Sequence, residues 1–178
     1  MNAEIKKVRK WFWVWDDDKE EAWLRKMAND GWRLTKVGLI NSYEFEQSES
    51  KDLIYRIDYK DGYNLKLDGY IQLFEDAGWK HICEMSGRHY FRTPMRGEDE
   101  PEIYTDNESK ILKYRRILVG FYVLIPVFAL LLINRPEVTK SPKFTIFDVY
   151  LIFIIFLEFF FIFTVYKLSK RISQIKHL

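Results

Sequence analysis

Apolar and polar positions alternate in three different ways along this chain, and each predicts a different kind of element. Residues 8–15 and 53–59 are apolar or alternating runs of strand length. Around Trp23 and Tyr70 the apolar residues return at helical spacing. In the second of these stretches Leu67, Tyr70, Ile71, Phe74 and Ala77 fall on one stripe. Near the C-terminus the alternation disappears. Residues 117–134 read ILVGFYVLIPVFALLLIN and residues 144–166 read FTIFDVYLIFIIFLEFFFIFTVY. As helices they would extend roughly 27 and 35 Å, enough to cross a hydrocarbon core of about 30 Å. They predict a two-helix membrane hairpin behind a water-soluble part.

The soluble part has a period of about 47 residues by alignment of its own signals. WLRKMANDGWRL, beginning at Trp23, parallels YIQLFEDAGWKH, beginning at Tyr70. Each copy follows a strand-like run and precedes a hairpin-like stretch ending in aromatics, Tyr43/Phe45 and Tyr90/Phe91. Each helix is predicted to stop at a glycine, Gly31 or Gly78, which tolerates a left-handed cap. Asp18 and Glu21 have capping-box spacing at the first helix. The predicted fold class is α+β: a tandem strand–helix–strand–strand repeat sharing one sheet and one core, followed by two transmembrane helices. The expected domains are residues 1–93, an acidic linker over 94–109, and the hairpin with its basic tail over 110–178.

Charge changes this picture by dividing it. Residues 1–109 carry 17 Lys and Arg against 23 Asp and Glu, and residues 110–178 carry 11 against 3, so a net +2 hides an acidic domain and a basic anchor. An acidic domain repels a phosphate backbone, which argues against direct nucleic-acid binding. Basic residues flank both ends of the hairpin, Lys110, Lys113, Arg115 and Arg116 before it and Lys167, Lys170, Arg171 and Lys176 after it, against Arg135, Lys140 and Lys143 in the connecting loop. That bias places both termini in the cytoplasm. The single cysteine, Cys83, and the absence of a signal-peptide core at the N-terminus fit the same compartment.

Candidate chemistry is sparse. Trp11, Trp13 and Trp15 share a face if residues 8–15 form a strand; the plain expectation is a central strand buried on both sides, and the sharper one is a ligand pocket lined by the tryptophan faces. Asp16, Asp17 and Asp18 fit helix capping and the helix dipole better than a metal loop, which interleaves its ligands. His81, Cys83 and His89 suggest zinc, but a two-residue turn at Ser86-Gly87 would pair His89 with Glu84 and turn it away from the other two. No cofactor, metal site or catalytic constellation is predicted, and the chain is read as a non-enzyme. In the second apolar run Glu158 is an isolated acid at a depth that costs about 2.5–3.5 kcal/mol. Pro126 in the first run frees the carbonyl of Tyr122 as a candidate partner. Glu158 and Pro126 are therefore the candidate membrane contacts.

The order WFWVWDDDKEEAWLRKMANDGWRL, a Tyr-x-Phe strand, IYRIDY, YIQLFEDAGWKHI and HYFR resembles the bacterial domain-of-unknown-function family 2812 over residues 8–93. The resemblance implies C-terminal membrane helices, a cytoplasmic module, and a link to regulation, since many members are encoded beside regulators of the PadR type. It carries no catalytic residues. The expected function is a membrane-tethered sensory or regulatory binding module whose partners are the lipid bilayer and a membrane or regulatory protein. The alternative is a small subunit of a membrane assembly or transporter whose hairpin oligomerises or docks through Glu158.

Overall fold

The computed structural model describes residues 4–60, 67–104, 107–133 and 146–176. The loop cations Arg135, Lys140 and Lys143 lie outside them. The chain divides into two compact units, residues 1–105 and 106–178.

The first unit runs β1 (Ile5–Arg9), α1 (Asp17–Asn29), β2 (Trp32–Gly38), β3 (Ser42–Gln47), β4 (Leu53–Tyr59), α2 (Leu67–Asp76), β5 (Lys80–Met85) and β6 (Arg88–Pro94). It is α+β, as expected, but the strands do not share one sheet. They form two antiparallel three-stranded sheets, ordered β1-β3-β2 and β4-β6-β5. β2 and β5 run close to each other without a ladder between them. The core is nevertheless common to both sheets. Leu24 and Met27 of α1 pack with Leu34, Tyr43 and Phe45 of the first sheet and with Tyr55, Ile57 and Tyr90 of the second. The opposite face of the second sheet buries Ile54 and Phe91 against Phe74 of α2 and against Trp79.

Both helices stop where expected. Gly31 and Gly78 hold φ of 83° and 87°, a conformation that costs a side-chain-bearing residue and ends a helix cleanly. The start of α1 differs. Asp16, not Asp18, occupies the cap and makes no capping hydrogen bond through its side chain. Glu21 does not reach back to the helix start; its Oε1 accepts the Ile57 amide at 2.9 Å and ties α1 to β4. On α2 the stripe holds through Phe74, but Ala77 is exposed.

Residues 95–104, expected as a linker, lie against the first unit. The Met95 amide bonds to the Asp52 carbonyl at 3.0 Å. Glu100 and Glu102 meet the nearly buried Arg56 at 3.2 and 3.0 Å, and Ile103 packs on the α2-side cluster. An acidic, apolar-poor segment reads as a linker because the cations that hold it, Arg25 and Arg56, lie far away in the sequence.

The second unit consists of α3 (Asn107–Ile133) and α4 (Ile146–Lys176), both long and apolar enough to cross a membrane. They pack along a seam with coiled-coil spacing. On α4 Ile154, Leu168 and Ile175 are buried, with Phe161 at the same seven-residue step. The Phe161 ring meets Phe121 and Phe128 of α3 at 5.6 and 5.4 Å. Most remaining apolar side chains of both helices are exposed, as lipid-facing surfaces are.

Candidate functional site

The tryptophan run is not a buried central strand. β1 ends at Arg9 because its partner β3 begins at Ser42; Arg9 pairs with Ser42, and the Lys10 amide closes the ladder on the Asn41 carbonyl at 3.1 Å. Beyond that point no strand among the described residues pairs with residues 11–15, and they turn into α1. Phe12 points inward, against Trp23 and Tyr43. Trp11 and Trp13 point outward and are 60% and 40% exposed. Trp13 stacks on Trp15 with centroids 5.3 Å apart and planes 6° from parallel, and Trp11 meets Trp13 edge-on at 5.5 Å. The three rings do come together, as an aromatic ladder exposed at Trp11 and Trp13. Such a surface offers large, rigid, amphipathic contact area at small entropic cost.

Behind the ladder lies a polar cluster that the sequence did not announce. Glu20, fully buried on α1, accepts from the Tyr43 hydroxyl at 2.8 Å and the Tyr90 hydroxyl at 2.9 Å, while its other oxygen pairs with the Arg88 guanidinium. Arg88 in turn lies over the rings of Tyr59 and Tyr90 at 5.7 and 5.4 Å. Burial, and then the Glu20 charge, push the Tyr43 hydroxyl far above its ordinary range. Burial also raises Tyr90, with Arg88 opposing the shift. Three donors hold the fully buried carboxylate, so the cluster joins α1 to both sheets. One signal was available: Tyr43 and Tyr90 hold matching places in the two strand–helix–strand–strand units, and both hydroxyls need a buried acceptor.

The Ser86-Gly87 turn forms as expected, with φ of 53° and 77°, and pairs Met85 with Arg88, Glu84 with His89 and Cys83 with Tyr90. His81 departs from the expected pattern. A bulge between His81 and Cys83 adds a residue to β5, so His81 pairs with Phe91 and swings onto the face of His89. His89 Nε2 donates to the Lys60 carbonyl at 3.3 Å, which leaves Nδ1 to accept from His81 Nε2 at 3.3 Å. Burial first, then the His89 charge, lower the His81 pKa. Cys83 stays on the other face, and burial pushes its thiol up to about 11, away from thiolate chemistry. Among the described residues no group of three His, Cys, Asp or Glu converges as a metal site would need. Nearby, the buried Asp58 accepts from the Tyr70 hydroxyl at 2.7 Å and from the Tyr104 hydroxyl.

In the second unit Glu158 is half-buried on α4, between Ile154 and Phe161 of the seam. Its Oε2 is shielded and has no hydrogen-bond partner among the described residues. Pro126 lies on the exposed side of α3, which continues through it as helix. Phe121, Ile125 and Phe128 occupy the side nearer α4.

No curated protein and no solved structure matches the chain. A family model described as a protein of unknown function, DUF2812, matches residues 16–125. The match begins at the N-cap of α1 and continues past β6, through the acidic segment held by Arg56, into the first apolar helix. It spans more than half the chain, so this protein belongs to the DUF2812 family.

Proposed function

We propose that this protein is a membrane-tethered, cytoplasmic binding module that senses or regulates and does not catalyse. The observation that carries the reading is the exposed Trp11–Trp13–Trp15 ladder on an α+β unit whose buried acids are already occupied. Aromatic surfaces of this kind are enriched where proteins dock. The unit is followed by two helices able to hold it at a membrane, and the basic flanks of that hairpin support cytoplasmic termini. The matching strand orders of the two strand–helix–strand–strand units support an internal repeat, in which one copy supplies the ladder and the other the docked acidic segment. Photo-crosslinking from position 11 of the full chain in native membranes, read by mass spectrometry, should capture one protein that is lost with Trp13→Ala. Capture unaffected by that change would count against the ladder.

The shielded, unbonded Oε2 of Glu158 favours a second reading, in which the hairpin joins copies of itself or another membrane protein. Hydrogen bonds between helices in lipid average only about 0.6 kcal/mol, so the effect is modest and specific. Inter-chain crosslinking should weaken in Glu158→Leu and persist in Glu158→Gln. Equal crosslinking in both would leave Glu158 without a part in assembly.

A further inference from the structure

The second sheet carries a pair of charges that an antiparallel ladder disfavours. Lys80 on β5 stands directly opposite Arg92 on β6, so both side chains leave the same face, and like charges in that relation destabilise a sheet. Among the described residues neither has a carboxylate within ion-pair distance. Arg92 meets neutral groups instead, donating to Leu34 O at 3.4 Å and hydrogen-bonding the Tyr55 hydroxyl. Both residues border a groove of about 470 Å³ where β5 and β6 meet the ends of β2 and β3.

The other charges of the groove cancel. Arg33 pairs with Glu46, and Lys51 lies 3.5 Å from Glu49. Two positive charges therefore stand uncompensated in a domain that is otherwise acidic. Gln47 and Ser48 add neutral polar groups to the wall. A planar guanidinium beside a compact ammonium suits a tetrahedral dianion, which the first grips through two N–H bonds and the second meets as a point charge. The volume falls within the usual range of small-molecule sites.

We propose that this groove binds a phosphate-bearing small molecule, its phosphate bridging Lys80 and Arg92. The inference rests on the reading of the unit as a binding module and names a ligand class for it, at a place separate from the tryptophan ladder. A soluble phosphate ester and a lipid phosphomonoester headgroup share this chemistry.

The test is isothermal titration of inorganic pyrophosphate into the full chain held in phosphatidylcholine nanodiscs. Lys80→Gln and Arg92→Gln should each weaken binding at least tenfold, Lys80→Arg should retain it, and Lys26→Gln, an exposed cation elsewhere, should leave it unchanged. Lys80 is exposed, so its variants fold even if Arg92→Gln does not. Without ligand, Lys80→Gln should melt above the parent, because the repulsion is gone, and pyrophosphate should no longer raise its Tm. Repeating the titration in phosphatidic acid discs, with phosphatidylglycerol discs matching the surface charge, separates the sources. Affinity lost only in phosphatidic acid names the headgroup, and affinity equal in the two anionic discs names a soluble ligand. No binding in phosphatidylcholine discs, or equal weakening by Lys80→Gln and Lys26→Gln, would overturn the proposal. Partner capture by the Trp13 surface in a Lys80→Gln chain tests the binding-module reading on its own.

Discussion

At the scale of single residues, the decisive group is Glu20, a carboxylate with no exposure at all. Taking an ion out of water costs several kcal/mol unless partners satisfy it. Here two tyrosine hydroxyls and a guanidinium do so. Removing Glu20 alone strands Arg88, so Glu20→Leu should cost about 3–5 kcal/mol. Tyr43→Phe removes one bond to a charged acceptor and should cost about 1.5–3 kcal/mol. The paired change Glu20→Leu with Arg88→Met should recover part of the loss, because no charge is then left unpaired although the Tyr43 and Tyr90 hydroxyls still lack their acceptor. All six tryptophans precede residue 80, so tryptophan fluorescence during urea unfolding reports this unit alone. A Glu20→Leu loss below about 1 kcal/mol would show that the cluster does not hold the unit together.

His81 supplies a pH dependence at the same scale. Its folded pKa is depressed below the ordinary 6.5, so the unfolded chain takes up the proton first as pH falls. Stability is then full above about 6.5 and is lost as pH drops through the folded value. Glu75 and Glu84 oppose the shift without reversing it. The unfolding midpoint should fall on acidification below about pH 6.5, and His81→Phe should flatten that slope. An unchanged slope would assign the acid sensitivity to other groups. This pair was not legible in the sequence, because its contact depends on the bulge between His81 and Cys83, and one inserted residue reverses which face a side chain takes.

At the scale of elements, what was legible was local. Gly31 and Gly78 end their helices because a left-handed residue is needed there whatever the rest of the chain does. The Ser86-Gly87 turn set the register of β5 and β6 close to it for the same reason. What was not legible depended on distant partners. Residues 11–15 have the alternation of a strand, but β3 is too short to pair with them. Leu39, Ile40 and Asn41 turn the chain before it could extend further, two of them at positive φ. The separation into two sheets was equally hidden, since the β2 and β5 edges come close without bonding. The two Gly-Trp tryptophans, alike in sequence, also differ. Trp79 is 5% exposed among Ile54, Phe74 and Phe91, whereas Trp32 is partly exposed beneath Lys6 at 4.8 Å. Trp79→Ala should therefore cost about 3–5 kcal/mol, and Trp32→Ala about half as much on the smaller area it buries. Equal losses in urea unfolding would mean that the two units bury their tryptophans alike.

At the scale of the whole molecule, the chain joins two solutions to burial. The first unit encloses its apolar residues between two sheets and two helices, and leaves charge, a tryptophan ladder and a cationic groove outside. The second exposes its apolar residues along two long helices and buries only a narrow seam. Water favours the first arrangement, and a lipid environment favours the second. The central proposal is that the hairpin crosses a membrane twice and keeps the first unit on the cytoplasmic side. Reporter fusions at residue 109 and after Leu178, each active on only one side of the membrane, test it most directly. Both should report the cytoplasm; a reporter at either point reading the far side would contradict the account.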